Sequence, residues 1–273
     1  MAGTLYLVGT PIGNLGDMTD RARETLGRVD LVAAEDTRRA RALLSHLGIR
    51  AELTTLFEGN DRARTETLLD VLRSGSDVAV ISDAGMPGLS DPGFRLVRAC
   101  AAEGIDVRVV PGPSAAIAAL VISGLPSDRF VFEGFLPRKE GERTARLEAL
   151  APERRTIVFF ESPRRVRATL SALSEVFGDR PVAVARELTK LHEEVLRGSV
   201  SEVLEAIGEG DPRGEVVLVV GGASEGPPPE LSALTEEAGE LVRSGMKKRE
   251  AAGAVARRHH VSANTIYRAL LEH

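Results

Sequence analysis

The stretch "VAVISDAGMPGLSDPG", residues 78–93, joins a run of four apolar residues to a loop that is rich in Gly, Pro and Asp. A short apolar run of this kind is typical of a strand that is buried on both faces of a parallel sheet. Asp83 follows that strand closely, and a helix is expected after the loop, with Asp91 as its N-cap and Pro92 at its first position. Ligands of α/β proteins bind where loops leave the carboxyl ends of such strands. The stretch therefore predicts an α/β fold with a binding loop.

Two further loops repeat this arrangement. They are "LYLVGTPIGNLGDMT", residues 5–19, and "VVPGPSAA", residues 109–116. The first lacks the Gly-Lys-Ser/Thr of a phosphate-binding P-loop, and its glycines do not have the spacing of a dinucleotide fingerprint. Taken alone, this first loop is equally compatible with a tight turn between a strand and a helix. Three such loops at strand ends are expected to converge on one crevice, which favours a cofactor site.

Strand and helix patterns alternate through most of the chain, with Gly27 expected to end the first helix. This alternation predicts an α/β architecture of two domains, at residues 1–117 and 118–224, with largely buried sheets. Residues 225–230 are rich in Pro and predict a stiff linker. Residues 231–273 are dominated by helix formers and predict a small unit that resembles a helix-turn-helix. This unit would either contact RNA or serve as a packing or dimerisation element.

The composition is that of a globular protein: 43% of the 273 residues are hydrophobic, and the net charge is −5. We find no apolar stretch of the roughly 18 residues that a membrane span requires and no secretory signal, so a cytoplasmic location is expected. The sole cysteine, Cys100, excludes an internal disulfide. Residues 243–273 carry seven Lys or Arg against two Glu, a local basic balance that favours contact with RNA.

Seven motifs, in this order along the chain, resemble those of one enzyme family: "LVGTPIGNLGDMT", "AAEDTRRARALLSHLGI", "ISDAGMPGLSDPG", "VVPGPSA", "FEGFLPRK", "FFESPRR" and "ARELTKLHEE". The chain resembles the class III, tetrapyrrole-methylase-like methyltransferases, which use S-adenosylmethionine. Its "GTPIGN" and "SDAGMPGLSDPG" are similar to the branch that methylates the ribose 2′-hydroxyl of a cytidine, position 1402, in bacterial 16S ribosomal RNA. The resemblance covers residues 4–222, and the C-terminal helical unit also fits it. It implies two α/β domains with the methyl donor in the cleft between them, a homodimer, the small ribosomal subunit as partner, and no metal.

The resemblance also implies which residues contact the methyl donor. They are Pro11, Ile12, Asp83, Met86, Pro87, Gly88, Ser114 and Ala115 from the three loops, and Phe160, Ala185 and Val217 from the second domain. Asp83 has a physical reason to be among them, because a carboxylate accepts hydrogen bonds from amino and hydroxyl groups.

Candidates for the chemistry come from the motifs "AAEDTRRAR", "ESPRR" and "ARELTK". Transfer to a ribose hydroxyl needs a well-positioned nucleophile and a proton acceptor. Glu161 and Arg186 are the preferred pair, because both come at the ends of strands that are expected to point at the cleft, and Asp36 is the third catalytic candidate. Contacts with RNA are expected from basic residues, namely Arg38, Arg164, Lys190, Arg257 and Arg258. Each of these charges could instead form a structural or surface ion pair.

Two other functions are compatible with the sequence. A methylase of a tetrapyrrole precursor would share the catalytic fold but has no obvious use for a basic C-terminal unit. A non-catalytic RNA-binding factor for ribosome assembly would bind RNA without binding the methyl donor. No spacing typical of metal ligands appears in the sequence.

Overall fold

The protein is described here by a computed structural model that covers residues 2–57, 61–90, 93–208, 210, 214–224, 230–259 and 261–272, without the side chains at 61, 257, 258 and 272. This part of the chain forms two compact units, Met1–Gly222 and Ala223–His273. The larger unit contains two five-stranded sheets. Most of the expected linker, at residues 225–229, lies outside the described residues, as do Asp91 and Pro92. The domain boundaries inferred from the sequence therefore stay a prediction.

The first sheet is entirely parallel, with strand order β3-β2-β4-β1-β5. Its strands are β1 (Leu5–Val8), β2 (Leu31–Ala34), β3 (Glu52–Thr55), β4 (Val78–Ile81) and β5 (Val107–Val110). The accompanying helices are α1 (Asp20–Arg28), α2 (Thr37–His46), α3 (Asp61–Arg73), α4 (Phe94–Glu103) and α5 (Ala115–Ser123). All four residues of β4 are buried, as expected for a central strand covered on both faces. Since the strands are parallel, the loops that follow β1, β4 and β5 leave the same edge of the sheet.

The second sheet is mixed, with strand order β6-β7-β10-β8-β9 and a parallel pair only at β6 and β7 within the described residues. Its strands are β6 (Phe130–Phe135), β7 (Thr156–Glu161), β8 (Pro181–Arg186), β9 (Glu194–Ser199) and β10 (Val216–Val220). The helices of this half are α6 (Glu140–Leu150), α7 (Val166–Phe177) and α8 (Val200–Ile207). Helix α5 of the first half packs on β7, β8 and β10, so one apolar cluster joins α5 and Ile12 of the first loop to the second sheet.

The α/β fold predicted from the sequence is confirmed, but the expected end of the first helix is wrong. Gly27 lies inside α1, which begins after its N-cap Thr19 and continues to Arg28. The Thr19 hydroxyl accepts a hydrogen bond from Ala22 N, and Leu26 is fully buried. These contacts outweigh the helix-breaking tendency of one glycine, which is about 1 kcal/mol.

The second unit consists of three helices in its described part: α9 (Leu231–Arg243), α10 (Lys248–His259) and α11 (Ala263–Glu272). They share an apolar core that includes Leu234, Val255 and Ile266. The ring of His259 is 2.7 Å from a carboxylate oxygen of Glu237, which ties α10 to α9. Among the described residues, no helix is both long and apolar enough to cross a membrane.

Candidate active site

The loops after β1 and β4 are joined by a pair of backbone hydrogen bonds. Thr10 N donates to Gly85 O at 2.9 Å, and Gly85 N donates to Thr10 O at 3.1 Å. The buried hydroxyl of Thr10 also donates to the carbonyl oxygen of Ser82 at 3.2 Å. The two loops therefore form one connected wall at the carboxyl edge of the first sheet.

The loop after β5 contacts the same wall through two glycines. A Cβ atom on Gly9 would lie 2.7 Å from the Cα of Gly112, and one on Gly112 would lie 2.9 Å from the Cα of Gly9. Real Cβ atoms essentially never come this close to another backbone. Glycine is thus required at both positions because the two backbones are in direct contact.

A cavity of about 370 Å³ lies between these loops and the second sheet. We call it the Ser114 cavity; it is lined by Ile12, Asp83, Ala84, Gly85, Met86, Leu89, Ser90, Ser114, Ala115, Phe135, Phe160, Glu161, Ser162, Pro163, Glu215, Val216 and Val217. Phe160 of β7 and Val217 of β10 are cross-strand neighbours, so the sheet register places both side chains on the cavity wall. The volume is in the usual range for small-molecule sites, roughly 300–1,000 Å³.

Ser114 provides a polar group without a partner on this wall. It is the N-cap residue of α5, yet its side chain makes no capping hydrogen bond. Its Oγ is buried and has no hydrogen-bond partner within the described residues. A buried hydroxyl left unpaired costs about 1–3 kcal/mol, so a ligand that bonds to Ser114 Oγ would remove this penalty.

A second cavity, of about 540 Å³, adjoins the first. We call it the Arg39 cavity; it is lined by Thr10, Pro11, Ile12, Gly13, Leu15, Ala34, Arg39, Ala40, Ala42, Leu43, His46, Ile81, Ser82, Asp83, Ala84, Lys190 and Glu215. Both cavities share four lining residues: Ile12, Asp83, Ala84 and Glu215.

The segment between β8 and β9 closes the Arg39 cavity on the side of the second sheet. Glu187 and Thr189 adopt positive φ angles, 50° and 66°, which are uncommon for residues other than glycine. Lys190 Nζ lies 2.9 Å from Glu187 Oε1 and 3.5 Å from Glu215 Oε2. A Cβ atom on Gly13 would lie 2.7 Å from the Cγ of Lys190, so the lysine stem contacts the first loop directly. Strained backbone of this kind clusters at functional sites.

The carboxylates around Lys190 keep it charged. Burial lowers the pKa of Lys190, but the hydrogen bond to Glu187 and the charge of Glu215 outweigh burial and raise it overall. The hydrogen bond from Lys190 in turn lowers the pKa of Glu187. Lys190 is therefore a cation at neutral pH and can serve as an electrostatic contact but not as a proton acceptor.

Most of the chain that forms this site matches a known protein family. Residues 4–204 match the family model described as Tetrapyrrole (Corrin/Porphyrin) Methylases. The chain is a member of this family. A relative from Mycobacterium tuberculosis, named "Ribosomal RNA small subunit methyltransferase I", is 47% identical over 99% of this chain and 95% of its own length. The resemblance predicted from the motifs, and with it the prediction of a methyltransferase, is confirmed.

Two further relatives show how much of the chain is shared. A Thermotoga maritima relative with the same printed name is 50% identical and is matched over 99% of its own length but only 81% of this chain. The crystal structure of uroporphyrin-III-C-methyltransferase from Thermus thermophilus is 27% identical, with a TM-score of 0.57, and covers 80% of this chain and 94% of that one. About four fifths of the chain is therefore sufficient to span each of these two relatives.

The structure gathers most of the predicted donor contacts around the Ser114 cavity. Seven of them line it: Ile12, Asp83, Met86, Ser114, Ala115, Phe160 and Val217. Pro11 lines the Arg39 cavity instead. Pro87 and Gly88 follow Met86 in the same loop but do not line either cavity, and Ala185 is fully buried in β8 beside Val217. The donor role of all eleven residues stays a prediction.

Both residues of the preferred catalytic pair, Glu161 and Arg186, make hydrogen bonds within the protein. The side chain of Glu161 is buried; one carboxylate oxygen accepts from Ser162 N and the other from the Thr169 hydroxyl, both within 2.8 Å. Arg186 Nε donates to a carboxylate oxygen of Glu194 across the β8–β9 pair. Glu161 lines the Ser114 cavity, whereas Arg186 lines neither cavity, and both side chains already have polar partners.

Asp36 and Arg38 form an ion pair at the start of α2. Asp36 is the N-cap, and its carboxylate accepts from the backbone N and from the guanidinium of Arg38, at 2.7–3.1 Å. These bonds hold the pKa of Asp36 well below its usual range. The sequence left open whether Asp36 and Arg38 form a structural ion pair, and their contacts in the structure are those of such a pair. Arg164 is exposed beside the Ser114 cavity, and the side chains of Arg257 and Arg258 lie outside the described residues.

Glu215 is the residue that the sequence motifs did not single out. It comes directly before β10 and lines both cavities. Its sequence neighbourhood offers only one signal, a carboxylate at the start of an apolar strand, and that strand runs antiparallel to its neighbours. The start of β10 therefore meets the ends of β7 and β8 at the cleft. The sequence alone does not show this pairing of strands, so it could not predict the position of Glu215.

Proposed function

We propose that this chain transfers the methyl group of S-adenosylmethionine to the ribose 2′-hydroxyl of a cytidine in small-subunit ribosomal RNA. The observation that carries the proposal is the 47% identity, over 99% of the chain, to a relative named "Ribosomal RNA small subunit methyltransferase I". A ribosomal RNA substrate would also place the chain in the cytoplasm, as the sequence predicts.

The Ser114 cavity supports S-adenosylmethionine as the donor. Ser114 Oγ offers an unpaired hydroxyl, and Asp83 offers a carboxylate to the amino or hydroxyl groups of the ligand. Phe160 and Val217 supply apolar surface for an adenine ring. The residues that line the cavity therefore fit the donor's mixture of polar and flat apolar groups.

When bound, the donor supplies a methyl group on a sulfonium: the 2′-oxygen forms the new bond to carbon, the carbon–sulfur bond breaks, and its electron pair stays on sulfur. The chain must then accept the hydroxyl proton. Asp83 is engaged at both oxygens, by Asp36 N at 3.2 Å and by Arg39 Nη1 at 3.0 Å. Glu215 is 67% exposed at its side chain and contacts Lys190 at 3.5 Å, which leaves lone pairs for the proton. We therefore assign the role of proton acceptor to Glu215.

We further propose a homodimer and a role for the second unit in RNA binding. Ile117 and Val121 lie one turn apart on α5 and are 45% and 65% exposed, which gives an apolar strip suited to a subunit contact. The basic balance of residues 243–273 supports electrostatic contact with RNA phosphates. Light scattering of the purified protein tests the dimer, and the truncation described in the Discussion tests the second unit.

The test of the proposed function compares acceptors. The protein is titrated with S-adenosylmethionine by calorimetry and is then incubated with labelled donor and either small ribosomal subunits or a tetrapyrrole precursor. We expect donor binding and label in the ribosomal RNA alone. Label in the tetrapyrrole would favour the C-methylase function, and RNA binding without donor binding would favour the assembly factor.

A further inference from the structure

We propose that the Arg39 cavity holds the acceptor nucleotide, a single cytidine nucleotide turned out of the RNA so that its ribose faces the Ser114 cavity. This inference rests on the proposed function and assigns the second substrate to a place in the protein. Enzymes that modify a base extrude the target nucleotide into a pocket, and a pocket that held the cytosine in this way would also fix the position of its ribose. The Arg39 cavity, at about 540 Å³, is in the size range of small-molecule sites.

The shared wall is the first reason for this assignment. Ile12, Asp83, Ala84 and Glu215 line both cavities, so the cavities adjoin, and ligands in them would approach each other at this border. Methyl transfer requires donor and acceptor atoms in near contact, roughly 3–3.5 Å apart. Cavities that adjoin place two ligands side by side, as this contact needs, and the proposed proton acceptor Glu215 lies at their junction.

Charge is the second reason, and it decides which ligand occupies which cavity. The Ser114 cavity has carboxylates at Asp83, Glu161 and Glu215, and no Lys, Arg or His among its described lining residues. This lining suits a donor whose sulfonium is positive. The Arg39 cavity shares Asp83 and Glu215 but adds three basic side chains, Arg39, His46 and Lys190. Basic side chains attract the phosphates on either side of a bound nucleotide.

The remaining lining suits a pyrimidine base. Leu15 and Leu43 supply apolar surface for the faces of the ring. Carboxylates accept hydrogen bonds from the amino group of cytosine, and each oxygen of Asp83, already bonded to Asp36 N or Arg39, has a second lone pair for such a bond. Arg39 Nη1 lies 3.0 Å from Asp83 Oδ2, so a donor and an acceptor stand side by side, as the edge of cytosine requires.

The test places a large side chain in the Arg39 cavity, at a residue that does not line the Ser114 cavity. Ala42 lies on the exposed face of α2 and lines the Arg39 cavity alone. We expect Ala42→Trp to bind S-adenosylmethionine with an unchanged Kd but to raise KM for the small-subunit RNA by about tenfold or more. The matched control is Ser45→Trp, on an exposed position of the same helix that lines a separate groove. This control should match the unmodified protein in both measurements.

Two results would overturn the inference. If Ala42→Trp weakens donor binding as strongly as RNA methylation, the Arg39 cavity holds part of the donor. If it methylates RNA with an unchanged KM, the cavity is not occupied by the acceptor. Should Ala42→Trp fail to fold, His46→Ala replaces it, because His46 is exposed and its removal should raise the same KM about threefold or more. A failure of the proposed function is distinct, since the unmodified protein would then transfer no label to RNA.

Discussion

Gly9→Ala adds a single methyl group and tests whether the three loops form one rigid wall. A Cβ atom at this position would lie 2.7 Å from the Cα and N of Gly112 and 2.8 Å from the sulfur of Met86. Ordinary contact begins at 3.4 Å, so Gly9→Ala would push the loops after β1 and β5 apart by about 0.7 Å. Overpacking of this size typically costs about 1–3 kcal/mol.

The cost should appear in donor binding as well as in stability, because two residues that the new methyl group would disturb line the Ser114 cavity: Ser114 on the loop after β5, and Met86, whose sulfur lies 2.8 Å from the new Cβ position. If the loops must return to their original separation to bind the donor, the affinity falls by about 5- to 150-fold, at about 1.4 kcal/mol per tenfold. Denaturant unfolding measures the loss of stability, and calorimetry with S-adenosylmethionine measures the loss of affinity.

Gly27→Ala is the matched control for this substitution. Gly27 lies inside α1, and nothing lies within 4 Å of the position that its Cβ would take. The control should increase the free energy of unfolding by about 0.5–1 kcal/mol and leave donor affinity unchanged. If Gly9→Ala were as stable as the unmodified protein and bound the donor equally well, the three loops would not act as one rigid wall.

Four other predictions follow from individual contacts. Ser114→Ala should weaken donor binding about five- to tenfold in calorimetry without lowering the free energy of unfolding, because Ser114 Oγ has no partner in the described part of the protein and its removal relieves the penalty of an unpaired buried hydroxyl; equal affinity would remove Ser114 from the donor site. Glu215→Gln should lower kcat about 100-fold with KM for RNA retained, and an unchanged kcat would exclude Glu215 as the proton acceptor. Burial raises the pKa of Cys100 from 9.0 to about 11, so the free energy of unfolding should fall as the pH rises through this interval, and Cys100→Ala should not show this fall. Removal of residues 223–273 should leave donor binding intact but weaken RNA binding and flatten its salt dependence, whereas unchanged RNA binding would make the second unit a packing element.

The sequence was sufficient to predict the loops, because their signals are local. Apolar runs such as Val78–Ile81 form central parallel strands, and the loops that leave parallel strands share one edge of the sheet. In the structure, the Thr10–Gly85 pairing and the Gly9–Gly112 contact hold the three loops together. Their partners are more than 70 residues apart, so the pairings themselves could not be predicted from spacing.

Elements whose signal is weak or non-local were not predicted. Strand β3, Glu52–Thr55, is short and only partly buried, so it lacks the apolar run that marked its neighbours. The mixed order of the second sheet depends on contacts between distant strands, and it is this order that brings Glu215 to the cleft. The contacts of Glu161 and Arg186 likewise depend on partners that become neighbours only in the folded sheet.

The position of the transferred methyl group tests the central claim most directly. Small ribosomal subunits are incubated with the protein and labelled S-adenosylmethionine, the RNA is digested to nucleosides, and the labelled nucleoside is identified by mass spectrometry. The account predicts label in 2′-O-methylcytidine alone. Label on a base, or no label in the RNA, would contradict it.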